Sequence, residues 1–243
     1  MKRIWFAFLG VVLTASLFSA EYREKIDRSF PLPVQGSFAL EGINGPVSVT
    51  TSDTPLVRIF AIKTSDYPGD LALADVVIEA TPARVAVQTR YRKENIRVRV
   101  EYRIVLPAGL ARTQITLVNG TLDLGGAYGD TELKTVNGDI HGGFTFSRGS
   151  WQTVNGKVAW TGKAPLAGPL AVVTVNGAVS LGIHLKSDFT LKGETIHGSI
   201  ESAFPVRIER EFVGRRFSGK VGAGTHMVEV RTVNGAIQVD ALD

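Results

Sequence analysis

Thr135-Val136-Asn137-Gly138-Asp139-Ile140, repeated as Thr153-Val154-Asn155-Gly156-Lys157-Val158, decides the fold of this chain. Asn-Gly recurs at Asn44, Asn119, Asn176 and Asn234, and His197-Gly198 stands in the same context. From position 119 to 197 the spacings run 18, 18, 21 and 21 residues. The outer gaps, 75 residues before Asn119 and 37 after His197, are near multiples of that period.

The columns around the Asn are regular. Just before it stand Ile43, Val118, Val136, Val154, Val175, Ile196 and Val233; three places after it stand Val47, Leu122, Ile140, Val158, Val179, Ile200 and Ile237. Thr lies two before it at 135, 153, 174, 195 and 232. Four before it come Leu40, Ile115, Leu133, Trp151, Val172 and Val230, with Gly193 as the break. Alternating Thr and Val describe a half-buried strand of period two. Gly at the turn suggests positive φ, and Asn tolerates that region better than most residues.

Asn-Gly is also a hairpin signal, but a meander needs two turns per 18 residues and only one recurs strictly. The sequence therefore predicts an all-β parallel β-solenoid with coils of 18–21 residues, each lying on its neighbour. Its expected turn ladder is Asn44, Asn119, Asn137, Asn155, Asn176, His197 and Asn234, about 4.8 Å apart with amides bonding along the stack. The apolar columns are expected inside, and Ser218-Gly219-Lys220-Val221 reads as a worn further copy.

Around this repeat the organisation has three parts. Lys2-Arg3 followed by an uncharged run from Ile4 to Ala20 reads as a signal peptide over 1–20. Residues 21–110 form an N-terminal strand region, either widened coils or a cap, and 111–243 the Asn-Gly solenoid continuous with it. Within the first part, Ile96 to Leu106 alternates as an eleven-residue strand, with further strands at 56–62, 76–80 and 84–89. Residues 71–77 allow one or two helical turns.

Composition narrows the chemistry. The 243 residues include 26 glycines and no cysteine, which excludes disulfides, thiol nucleophiles and Cys-based zinc sites. The formal charge of +4 falls to +2 without Lys2 and Arg3, weak grounds for nucleic acid. The four histidines (141, 184, 197 and 226) have no metal-ligand spacing, and no P-loop or GxSxG is present, so no cofactor, metal or catalytic residue is expected. Asp123, Asp139, His141 and Glu201 are diluted by neutral neighbours and read as solvated surface. Trp151 and Trp160 fall in apolar columns and read as core.

One charged cluster has a shape. Arg97, Arg99 and Arg103 share one face of the predicted strand and suit an anionic envelope polymer, or serve as a solvated edge.

Thr-Val-Asn-Gly-x-Ile/Val, with Leu106-Pro107-Ala108-Gly109 and Phe217 to Gly224 before Thr232-Val233-Asn234-Gly235, resembles the bacterial DUF4097 family of adhesin-like β-repeat proteins. The likeness runs from about Phe30 to Val239. It implies an extracytoplasmic β-solenoid without recognised catalytic residues. The expected role is an exported, non-enzymatic adhesin or envelope scaffold in the periplasm, on the surface or secreted. Its partner would be an envelope polymer, glycan or protein, with no nucleic acid and no membrane span after signal cleavage. A carbohydrate-active enzyme and a self-assembling structural protein are the alternatives.

Overall fold

The computed structural model describes residues 21–210 and 212–243, so the predicted signal peptide lies outside the described residues. The chain enters along β1 (Tyr22–Pro31). A first coil, β2 (Ser37–Asn44) and β3 (Val47–Ser52), leads into β4 (Leu56–Ser65), the helical turn α1 (Pro68–Leu71), β5 (Ala74–Thr81), β6 (Arg84–Tyr91) and β7 (Arg99–Pro107). Coiling resumes with β8 (Leu110–Asn119), β9 (Leu122–Asn137), β10 (Ile140–Thr145), β11 (Arg148–Asn155), β12 (Val158–Thr161), β13 (Leu170–Asn176) and β14 (Val179–His184). Then come β15 (Phe189–His197), β16 (Ile200–Ser202), β17 (Arg207–Arg210), β18 (Arg215–Val221), β19 (His226–Asn234) and β20 (Ile237–Leu242).

The fold is all-β and solenoid-like. Each Asn-Gly turn passes the chain from one sheet to another, and the two sheets share one apolar core. Sheet A runs β1-β4-β7-β3-β9-β10-β12-β14-β20-β16. Sheet B runs β5-β6-β2-β8-β9-β11-β13-β19-β15-β18-β17. The Asn-Gly coils pair in parallel and in register, as Asn119↔Asn137 and Asn155↔Asn176 show. Antiparallel strands lie beyond them: β1, β4 and β5 at one end, β17 and β18 at the other.

Stacking does not follow the sequence. Asn176 lies beside Asn234, and His197 beside the far side of Asn234, so the last coil is inserted between the two that precede it. Unit 197 is shaped as a terminus: at Gly193 a Cβ would sit 2.4 Å from the Phe217 ring, which fills the place that larger residues occupy in other coils. Phe217 arrives on β18, so Ser218 to Val221 belongs to an antiparallel cap strand rather than a worn coil. The 75-residue gap is likewise an excursion: β2 pairs directly with β8, and Asn44 with Asn119.

The Asn-Gly glycines are required for a different reason from the one expected. Among them only Gly45 has a positive φ. At Gly156 a Cβ would lie 2.0 Å from the carbonyl oxygen of Gly138, and Gly120, Gly138, Gly177, Gly198 and Gly235 meet the same obstacle within 1.8–2.0 Å... of a neighbouring glycine carbonyl. Close approach of stacked turns, not turn handedness, excludes a side chain.

The column before the Asn is also corrected. Val118, Val136, Val154, Val175 and Ile196 are 37–41% exposed, whereas Thr135, Thr153, Thr174, Thr195 and Thr232 are buried. The inward Thr hydroxyls bond the carbonyls of the neighbouring turn, for example Thr153 to Gly138 at 3.0 Å and Thr232 to Gly177 at 3.1 Å. A buried carbonyl without a partner costs about 1–3 kcal/mol, so the hydroxyl belongs inside and the Val outside. The column three after the Asn is buried throughout, from Val47 to Ile237.

Trp151 and Trp160 sit in the core with Phe144 and Phe146, ring centres 5.2–6.5 Å apart. Each indole N–H is satisfied, Trp151 by Thr131 Oγ1 and Trp160 by the Phe144 carbonyl.

Candidate binding surface

The asparagine ladder is continuous. Asn119 donates to Asn44 Oδ1, and Asn137, Asn155, Asn176 and Asn234 each donate to the Oδ1 of the Asn before them in the stack, at 2.7–2.8 Å. Asn44 donates to Tyr91 Oη at 3.3 Å, and that hydroxyl donates to the Val98 carbonyl, which closes one end. His197 aligns with Asn234 through the backbone, its carbonyl accepting the Gly235 N–H. The ladder and the exposed Val column run side by side along the stack.

The carboxylates do not converge. Asp123, His141, Ala159, Ser180, Gln238 and Glu201 form one outward row of sheet A, strand by strand. Asp123 and Glu201 are thus five strands apart, about 24 Å at ~4.8 Å per strand, against the ~5–9.5 Å of glycosidase pairs. Asp139 accepts the Lys157 N–H at 2.7 Å and faces His141 Nε2 at 3.3 Å, which makes it part of the turn. No cluster of three His, Asp or Glu side chains able to hold a metal occurs among the described residues.

The arginines lie where β1, β4 and β7 form the end of sheet A. Arg99 and Arg103 point outward on β7; Arg97 precedes the strand, its backbone N–H bonded to Asp70 Oδ2. Antiparallel pairing brings further groups to the same face: Thr64 joins Arg23 to Arg99, Ile62 joins Lys25 to Glu101, and Phe60 joins Asp27 to Arg103. Arg58 pairs with Asp27 at 2.7 Å, and its guanidinium holds that carboxyl below the usual range. Arg103 pairs with Glu101 at 2.8 Å. Lys25 and Arg99 have no ion-pair partner among the described residues, and half-exposed Ile62 and Phe60 lie between the basic groups. Lys25, Arg58 and Phe60 were not legible as part of this patch, because nothing local specifies the β1–β4 register.

A shallow groove of about 220 Å³ at the other end, on sheet B, is lined by Lys192, Glu194, Arg207, Glu209 and Arg231 among others. Its charges alternate in ion pairs, such as Arg231–Glu229 and Arg207–Glu209.

The fold is similar to that of a candidate cell adhesion protein from Clostridium sporogenes, at 11% identity and a TM-score of 0.53 over 91% of this chain and all of that one. A candidate adhesin from Bacteroides fragilis matches at 14% identity, with 89% of this chain and 97% of that one covered, but at a TM-score of only 0.41. No curated protein matches significantly. No helix among the described residues is long and apolar enough to cross a membrane. The Toastrack DUF4097 family pattern matches residues 37–240, nearly the whole of the described stack, and the chain belongs to that family.

Proposed function

We propose that the chain is exported and acts outside the cytoplasm as a non-enzymatic, adhesin-like binding protein of the cell envelope. Its ligand is an anionic polymer held on the outer face of β1, β4 and β7. One observation carries this reading: Lys25 and Arg99 have no ion-pair partner among the described residues, on a face where five cations (Arg23, Lys25, Arg58, Arg99, Arg103) meet three acids, Glu21 paired to Arg23, Asp27 paired to Arg58 and Glu101 paired to Arg103. Uncommitted cations beside half-exposed apolar side chains suit a polymer with regularly spaced acids on a sugar or polyol chain. Export is supported by the Lys2-Arg3 start and the uncharged run after it. The adhesion role is supported by the name of the Clostridium sporogenes structure.

The test is a binding array of anionic and neutral envelope polymers and glycans. The chain binds an anionic member, binding weakens with salt, and R97Q/R99Q/R103Q lowers affinity about tenfold or more. Undiminished binding by the triple variant overturns the patch assignment. Turnover of a bound glycan overturns the non-enzymatic role.

A further inference from the structure

Between β17 and β18, the described residues Phe212-Val213-Gly214 lead into β18 at the tip of the hairpin. Phe212 is fully exposed, at 106% of its reference area, and Val213 is 60% exposed. Phe212 therefore packs on nothing, and the fold gains nothing from the ring. The base of the hairpin, by contrast, is held in place. Gly214 has φ +88°, and a Cβ there would lie 2.6 Å from the Thr195 carbonyl oxygen. Arg215 donates to the Gly198 carbonyl at 2.7 Å. Val213 lines a shallow groove with Ile196, so the tip continues the exposed apolar column.

Directly beneath the tip, Arg210 and Arg215 are cross-strand partners. Like charges opposite each other in a sheet destabilise it. Arg210 is exposed and has no ion-pair partner among the described residues, so its guanidinium can take an oxyanion in the forked geometry that phosphate favours, while Arg215 has further N–H groups beyond the one given to the Gly198 carbonyl.

We propose that this hairpin tip docks on an anionic lipid bilayer, with Phe212 and Val213 entering the headgroup–acyl boundary and Arg210 and Arg215 contacting lipid phosphates. Charge complementarity selects this occupant: an apolar wedge with a basic collar matches the two layers of an anionic membrane surface. A convex tip also needs no preformed pocket, since a fluid bilayer yields around it. The assignment is independent of the sheet A patch, which lies at the opposite end of the stack.

The absence of cysteine permits a direct test on the full chain. F212C, labelled with an environment-sensitive fluorophore, is mixed with phosphatidylcholine vesicles containing about 30% phosphatidylglycerol. The same label on S48C, on the outer face of sheet A, controls for binding through the N-terminal segment. The expected result is a blue shift and a several-fold rise in emission at position 212 alone, reduced about tenfold in vesicle affinity by R210E. No change at position 212, or an equal change at position 48, overturns the proposal. So does a response to pure phosphatidylcholine that R210E leaves unchanged. A shift that grows with protein concentration in buffer alone assigns the tip to a second copy of the chain and also overturns it. Unchanged emission from buried Trp151 and Trp160 shows that the variants are folded.

Discussion

Asn234 donates its side-chain amide to Asn176 Oδ1 at 2.7 Å across 58 residues of sequence, while His197, 21 residues after Asn176, lies one coil farther out. Two chain-distant repeats are therefore neighbours and two chain-adjacent ones are not. This bond completes a ladder in which the interior members both donate and accept.

Asn155 is an interior member, donating to Asn137 and accepting from Asn176. N155A removes two amide–amide bonds at an exposed position, and its cost is about 1–2 kcal/mol. N234A removes one and costs about half as much. Urea unfolding of the two variants checks the ratio; equal costs, or none, show that the ladder is surface decoration.

The inverted Thr and Val columns make a sharper claim. T153V keeps the shape but loses the hydroxyl bond to the Gly138 carbonyl, and destabilises by about 1–2 kcal/mol. V154T changes an exposed side chain and stays within about 0.5 kcal/mol. Had the Val column filled the core, the order would reverse. Thermal melts of both variants decide it.

Burial pushes the Tyr102 hydroxyl up to about 12, and it raises Tyr91 and Tyr128 as well. A folded value above the unfolded one, near 10, means that the unfolded chain releases its proton first as pH rises. Stability from Tyr102 is then complete below about pH 10 and is lost as pH climbs towards 12, by about 2–3 kcal/mol. Y102F, which also loses the 2.6 Å contact with Thr89 Oγ1, unfolds with a shallower alkaline slope. A slope equal to that of the parent chain would remove Tyr102 as the cause.

How far the sequence could be read follows from what each residue's neighbours reveal. Strand periodicity, the buried column from Val47 to Ile237 and the asparagines that make up the ladder are properties of the repeat itself, so they were legible, though not which of the later members bond to one another. The order of stacking was not, because Asn176, His197 and Asn234 carry equivalent turns. Only Gly193, with Phe217 over it, distinguishes the terminal coil. The arginine patch was half legible: Arg99 and Arg103 alternate on one strand, but Lys25 and Phe60 reach that face through long-range pairing.

The inserted coil sets the final expectation. In a solenoid stacked in sequence order the last coil has one free face and frays first. Here β19 is bonded in parallel to β13 on one side and β15 on the other, and Val228 and Val230 are fully buried. Opening β19 exposes two strand edges and separates β15, β16 and the cap from the rest of the stack. Its amides near Val230 therefore exchange with solvent only through global unfolding, as slowly as those of β11 in the middle. Those of β17, an edge strand with every residue exposed, exchange orders of magnitude faster. Native-state hydrogen exchange resolved by segment makes the comparison. Fast exchange in β19 alongside protection in β13 would mean that the last coil peels from the stack as an ordinary terminus.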